Sequence, residues 1–124
     1  MYAIHTDSAP ETGGPFSQGA SAARTVFVSA QAGIDREAGT LISDDAYVQA
    51  VQAIRNIEAI LAATNLELED VAKVGIFLTD ATDREAVYKA CGELFPKPRP
   101  AVSAVVVSEL TGKGKVEIEA IAVR

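Results

Sequence analysis

Residue types that carry much of protein chemistry are scarce in this sequence. It contains no tryptophan, one cysteine (Cys91) and one histidine (His5) in 124 residues. A single cysteine excludes an internal disulfide, and a single histidine cannot form a metal site alone. Aromatic residues make up only 6% of the chain, so a buried core has to be built from valine, isoleucine, leucine and alanine.

Long apolar runs and an excess of positive charge are also missing. No apolar stretch approaches the roughly 20 residues that a membrane-spanning helix needs. The N-terminal segment Met1–His5 lacks the basic start and apolar stretch of a signal peptide. The formal net charge is −6, which disfavours binding to phosphate backbones and to anionic lipids. We therefore expect a cytoplasmic protein without nucleic-acid or membrane partners, folded as a single domain over residues 1–124.

Hydrophobic patterning predicts four strands. Residues 25–30, 71–78, 101–107 and 116–123 are rich in β-branched and apolar side chains, as strands are. Residues 8–20 are rich in glycine, serine and proline, which predicts a loop.

Two helices are predicted between these strands. Ser43 is the predicted N-cap of the first, which runs to about Ala63. Its apolar stripe follows helical spacing and consists of Tyr47, Val51, Ile54, Ile57 and Leu61. Thr82 and Glu85 match a capping box for the second helix. Cys91 lies on the apolar stripe of that helix and is interpreted as core filler, not as a nucleophile.

Two helices can cover only one face of such a sheet. The other face needs cover, and association with further copies of the chain is the simplest source of it. Three consecutive valines, Val105–Val107, favour burial on both faces of their strand. We predict an α/β (α+β) fold in which two helices pack on one face of a mixed sheet, and an oligomer.

An acidic pair in the last predicted strand is the strongest functional signal in the residue pattern. Glu117 and Glu119 alternate with apolar residues, so both side chains point to one face. That face is either solvated or lines a pocket at a subunit boundary. In a pocket, a buried carboxylate could hold a water molecule and act as a general base.

Four stretches of the sequence together resemble the Rid (YjgF-like) family of small trimeric proteins. They are residues 14–18 (Gly-Pro-Phe-Ser-Gln), 28–31 (Val-Ser-Ala-Gln), 71–78 and 116–122, and Pro100–Val105 joins them in order. The resemblance covers nearly the whole chain. It implies a chorismate-mutase-like fold and a homotrimer with a barrel-like core, because the three sheets face inward. It also implies a small-molecule pocket in each cleft between subunits.

The resemblance also implies an activity. Members of the family hydrolyse reactive enamines and imines to a 2-keto acid and ammonia without a cofactor or metal. Glu117 matches the acidic residue that orients water, so it is the predicted catalytic residue. Ser29 matches a serine that hydrogen-bonds the substrate. Two further predicted binding residues depart from the family pattern: Phe16 stands where tyrosine is usual, and Tyr88 aligns with a common asparagine.

A third departure concerns substrate charge. The family motif Pro-Ala-Arg-Ser reads Pro-Ala-Val-Ser here, so Val102 stands where deaminating members have an arginine that binds the substrate carboxylate. Ala104 is expected to share the face of Val102 and line the same cleft. A charged hydrogen bond is worth about 1.5–3 kcal/mol, so activity on imines of amino acids is expected to be weak or altered. Arg99 is expected to point away from the cleft, because three residues is an odd step along a strand. The prolines on either side of it, Pro98 and Pro100, also indicate a loop position outside the cleft.

Three functions remain open at this point. The first is a hydrolase of imines or enamines, and Ser29 and Glu117 favour it. The second is a member that does not deaminate but binds a metabolite or performs another hydrolysis, and the apolar Phe16 and Val102 favour it. The third is a ribonuclease or translation inhibitor, as some family members have been described. An acidic chain without an aromatic and basic patch disfavours that third function.

Overall fold

A computed structural model describes residues 1–124. Six strands form one sheet in the order β1-β2-β3-β6-β4-β5, and only the pair β4–β5 is parallel. The elements are β1 (Tyr2–Ile4), β2 (Gly19–Ala22), β3 (Thr25–Ala32), α1 (Ala46–Ala62), β4 (Val71–Leu78), α2 (Arg84–Leu94), β5 (Ala101–Val106) and β6 (Val116–Val123). Short 3₁₀ turns, Leu68–Asp70 and Ala81–Asp83, precede β4 and α2. Neither helix has the length and apolar character needed to cross a membrane.

The predicted strands all form. β4 and β6 have the predicted bounds, β3 continues to Ala32, and β5 ends one residue early at Val106. The two N-terminal strands were not predicted, and β2 (Gly19–Ala22) begins inside the predicted loop. These four residues become a strand because they pair with β1 on one side and β3 on the other.

Both helices form, but both predicted N-caps are wrong. The α1 N-cap is Asp45, whose carboxylate accepts a hydrogen bond from Val48 N at 2.9 Å. Ser43 Oγ instead accepts from Asp45 N at 3.0 Å. At α2, the expected box of Thr82 with Glu85 is absent. Asp80 accepts from Thr82 N and caps the short turn that leads into the helix.

The core lies between the two helices and one face of the sheet. Ile54, Ile57 and Leu61 of the predicted α1 stripe are fully buried, and alternate residues of β6 from Val116 to Ala122 meet them from the sheet. The prediction that the helices cover a single face is therefore confirmed. This arrangement leaves one face of the sheet without a covering layer, called the open face below.

Large apolar side chains remain exposed on the open face and the β5 edge. Phe27 is 45% exposed and Val123 is 43% exposed. In a single chain Val105 and Val106 are 50% and 55% exposed, so burial of the valine triplet on both faces, predicted as part of an oligomer, stays a prediction. β5 is an edge strand with one neighbour, so one chain cannot enclose it.

The end of β3 is clamped to α1 and to the start of β6. A methyl group at Gly33 would lie 2.5 Å from Gln49 Cα, so only glycine allows this approach. The buried Gln49 donates from Nε2 to Ser43 O at 2.8 Å and accepts at Oε1 from Lys115 N at 2.8 Å. These contacts fix the strand ends that carry the candidate site.

Candidate functional site

A cleft of about 420 Å³ opens at the end of the sheet where β3 ends and β6 begins. The segment 10–13 and the turn at 111–112 form its other walls. Phe16, Ser29 and Glu117 all line it. The fold thus brings together three of the predicted site residues within one chain.

A register shift in β3 sets the orientation of Ser29. The pairing with β6 shifts register between Val28 and Gln31, and bulges of this kind redirect side chains. Ser29 Oγ donates to Ser17 O at 2.7 Å, and Ser29 N donates to Gln18 O at 2.9 Å. Since its hydrogen is committed to Ser17, the hydroxyl offers lone pairs to a ligand.

Phe16 is the one aromatic residue that lines the cleft and is 60% exposed. Its ring lies across Gly14, where an added Cβ would come within 2.5 Å of Phe16 Cε1. Phe16 N also donates to Gly14 O at 2.9 Å, which closes a tight turn. The glycine of the sequence motif is therefore needed for the ring to lie across the turn.

Glu117 is the half-buried acid of the cleft. Burial raises the pKa of its carboxyl group, and a hydrogen bond from the backbone of Gly112 opposes that rise. Glu119, which shares its strand face, does not line this cleft and packs against Gly75. The common face predicted for the two carboxylates is confirmed by the alternating burial along β6.

Gln18 is a structural residue of the site that the sequence analysis did not single out. Its buried amide accepts from Thr6 N at 2.7 Å and donates to the carbonyls of Thr6, Ala9 and Pro10 at 3.0, 3.3 and 2.9 Å. One side chain therefore holds the segment that forms the rim of the cleft. Gln18 belongs to the Gly-Pro-Phe-Ser-Gln motif, so that motif was the available signal.

The rim also carries the only cluster of potential metal ligands. His5, Asp7 and Glu11 place ligand atoms within 4.8 Å of one another, and all three are exposed. His5 Nε2 lies 3.0 Å from Glu11 Oε1, and that hydrogen bond raises the pKa of His5. A solvated ion pair accounts for this cluster.

A second hollow of about 340 Å³ lies between α2 and β5. Tyr88 and Val102 line it together with Arg99. The prediction that Arg99 points away from Val102 is therefore wrong. β5 begins at Ala101, so Arg99 lies outside the strand and the alternation rule does not apply to it.

Two other predicted positions lie near this hollow. Ala104 does not line it but is half-buried and packs against the core. Cys91 lines the hollow, and burial raises the pKa of its thiol to about 11, so it stays protonated near neutral pH. This agrees with its interpretation as core filler.

The two hollows lie on opposite sides of the sheet. Val102 pairs with Val74 of β4, and Glu117 pairs with Phe77 of the same strand. Val74 and Phe77 are three residues apart, so their side chains, and those of their partners, point to opposite faces. A single chain cannot bring Val102 to Glu117, and a site that contains both needs two chains.

Comparison with known proteins identifies the family. The family model described as Endoribonuclease L-PSP matches residues 6–124. The 2-iminobutanoate/2-iminopropanoate deaminase of Capra hircus is 38% identical over 121 residues, which is 98% of this chain and 88% of that protein. The crystal structure of RidA from an Antarctic Psychrobacter is 36% identical, covers 100% of both chains and has a TM-score of 0.96.

A third relative was solved with a small molecule. The structure of Escherichia coli TdcF with bound serine is 33% identical, covers 100% of this chain and 99% of that one, and has a TM-score of 0.92. The chain belongs to the Rid (YjgF-like) family, as its motifs predicted.

Proposed function

We propose that this protein hydrolyses reactive imines or enamines to a keto compound and ammonia in the Phe16–Ser29–Glu117 cleft. The observation that carries the proposal is the half-buried Glu117 carboxyl, whose pKa is raised by burial, facing the same cleft as the Ser29 hydroxyl. The deaminase name of the Capra hircus relative supports this reaction.

The chemistry follows from these two side chains. Glu117 takes a proton from a water molecule, and the oxygen of that water attacks the imine carbon. The imine nitrogen takes up that proton, which gives a neutral intermediate with one hydroxyl and one amino group on the same carbon. Glu117 then takes the hydroxyl proton and delivers it to the amino nitrogen, so the C=O bond forms as the C–N bond breaks and ammonia leaves. Because burial raises the pKa of Glu117, its carboxylate is a stronger base than an exposed one and takes these protons more readily. Ser29 Oγ accepts a hydrogen bond from the imine N–H, because its own hydrogen is committed to Ser17.

We further propose that the working unit is a homotrimer in which the second hollow of one subunit closes the cleft of the next. The sheet faces of Glu117 and Val102 support this, because no single chain can join them. The exposed apolar side chains of Phe27 and Val105 support burial of the open face between subunits.

Substrate selectivity is expected to be altered rather than lost. Val102 is neutral, so position 102 cannot attract a carboxylate. The positive charge in the hollow comes from Arg99, three residues earlier.

The proposed hydrolysis is tested by generating 2-imino acids with an amino-acid oxidase and catalase, with and without the purified protein. Faster keto-acid release supports imine hydrolysis, and a rate equal to that in buffer favours the binding or other hydrolytic role.

The charges of the cleft disfavour ribonuclease activity. Its ionisable lining residues are Glu11 and Glu117, which both repel a phosphate backbone. RNA cleavage that persists through repeated purification and disappears in Glu117→Ala would overturn this view.

A further inference from the structure

The hollow between α2 and β5 carries one cationic side chain in apolar surroundings. Apart from Arg99, its walls include Ile76, Tyr88, Phe95 and Val102. We propose that Arg99 is the anion-binding residue of the site and holds the carboxylate of the substrate. The identity of that substrate rests on the proposed function, whereas the anion site itself rests on the geometry below.

The guanidinium of Arg99 is held in place by the end of α2. Its Nη1 donates to Gly92 O at 2.7 Å and also to Phe95 O. These carbonyls lie at the C-terminal end of the helix, which carries partial negative charge and favours a cation there. The side chain is thereby positioned before any ligand arrives.

The other edge of the guanidinium is free. Nε and Nη2 donate to no group of the chain, and no carboxylate forms an ion pair with Arg99. Nε–H and the adjacent Nη2–H lie side by side and match the two oxygens of a carboxylate. Arg99 is exposed in the single chain, so this second edge is accessible and is available to an anion in the hollow.

The apolar walls of the hollow favour a ligand with an apolar carbon chain. Its walls are predominantly apolar, so a small organic acid fits with its carboxylate on Arg99 and its carbon chain against Tyr88 and Val102. In the proposed trimer, the neighbouring subunit would cover the hollow and exclude water, which strengthens charged hydrogen bonds.

The experiment compares binding of 2-oxobutanoate with binding of its uncharged primary amide by calorimetry, so no hydrolysis is needed. We expect the wild-type protein to prefer the acid. Arg99→Gln should weaken binding of the acid about 10- to 100-fold, the size of one charged hydrogen-bonded pair. Binding of the amide should not change.

Two further variants separate ligand binding from a structural role. Lys97→Gln removes a charge from the same exposed connection and should leave both affinities unchanged. Arg99→Lys keeps the charge but loses the fork, and should fall between wild type and Arg99→Gln. If Arg99→Gln weakens acid and amide equally, or changes neither, the proposal is overturned.

Failure of the proposal can be told apart from failure of the proposed function. Arg99-dependent binding of the acid by a protein that does not accelerate imine loss would leave the anion site standing and remove the hydrolase. Imine hydrolysis that is identical in Arg99→Gln and wild type would support the hydrolase and exclude Arg99 as the residue that binds the substrate carboxylate.

Discussion

Replacing Glu117 with glutamine removes the proposed base and keeps the shape of the side chain. The cleft geometry leaves Glu11, on its solvent-exposed rim, as the other carboxylate. General-base catalysis by a positioned carboxylate contributes about 10²- to 10⁴-fold to a rate. We expect Glu117→Gln to lower kcat for hydrolysis of a 2-imino acid by that factor and to change KM little.

The matched control is Glu119→Gln. Glu119 lies two residues further along the same strand face, but it packs on Gly75 and not in the cleft. The assay follows keto-acid release from an imine made by an oxidase, after subtraction of the rate in buffer. Equal losses in both variants, or full activity in Glu117→Gln, would refute the assignment of Glu117.

Stability and pH dependence distinguish lost chemistry from lost folding. Burial raises the pKa of Glu117 in the folded protein, so folding disfavours the charged carboxylate. That cost is absent below the usual pKa of a carboxyl group and complete once the pH exceeds the raised pKa. Glu117→Gln should therefore unfold no more easily than wild type at pH 7. Activity has the opposite dependence, since it needs the carboxylate, so wild-type kcat/KM should fall as the pH drops through the raised pKa.

Three other predictions concern the scaffold and the assembly. Gln18→Ala leaves backbone groups of the rim unpaired, so it should cost about 1–3 kcal/mol in urea unfolding and speed hydrogen exchange at Thr6; an unchanged midpoint would contradict the assigned role. Gly33→Ala drives a methyl group against Gln49 and should cost about 1–3 kcal/mol, whereas Gly13→Ala meets no atom within 4 Å and should cost less; equal midpoints would count against this packing. Val105→Asp puts a charge on the exposed apolar face and should convert an oligomer of three times 13.0 kDa to monomers in light scattering, with loss of activity. A monomeric wild-type protein would contradict the proposed trimer, and an oligomer unaffected by Val105→Asp would contradict burial of Val105 between subunits.

The elements that could be predicted are those with a strong local pattern. The helical spacing from Tyr47 to Leu61 predicts α1, and Ile54, Ile57 and Leu61 of that stripe are buried, whereas Tyr47 and Val51 are only partly buried. The alternation through β6 predicts both the strand and its buried face. β2 could not be predicted, because Gly-Ala-Ser-Ala has little intrinsic preference for a strand and depends on its neighbours. The N-cap of α1 was predicted wrongly for a related reason. Ser43, Asp44 and Asp45 are all residue types that favour the N-cap position, and the packing of the helix decides among them.

The candidate site was predictable in composition but not in geometry. The motifs named Phe16, Ser29 and Glu117, and the structure places all three in one cleft. The flanking prolines correctly indicated that Arg99 lies in a loop, but the direction of its side chain could not be predicted, because strand alternation does not apply before β5 begins at Ala101. The role of Gln18 depends on hydrogen bonds to a segment eight to twelve residues away, which no local pattern encodes.

A crystal structure of the oligomer with a bound 2-keto acid would locate the reaction site. We predict density in the cleft formed by Phe16, Ser29 and Glu117, with the keto carbon facing the Glu117 carboxylate. Density confined to another part of the surface, with this cleft open and accessible in the same crystal, would contradict it.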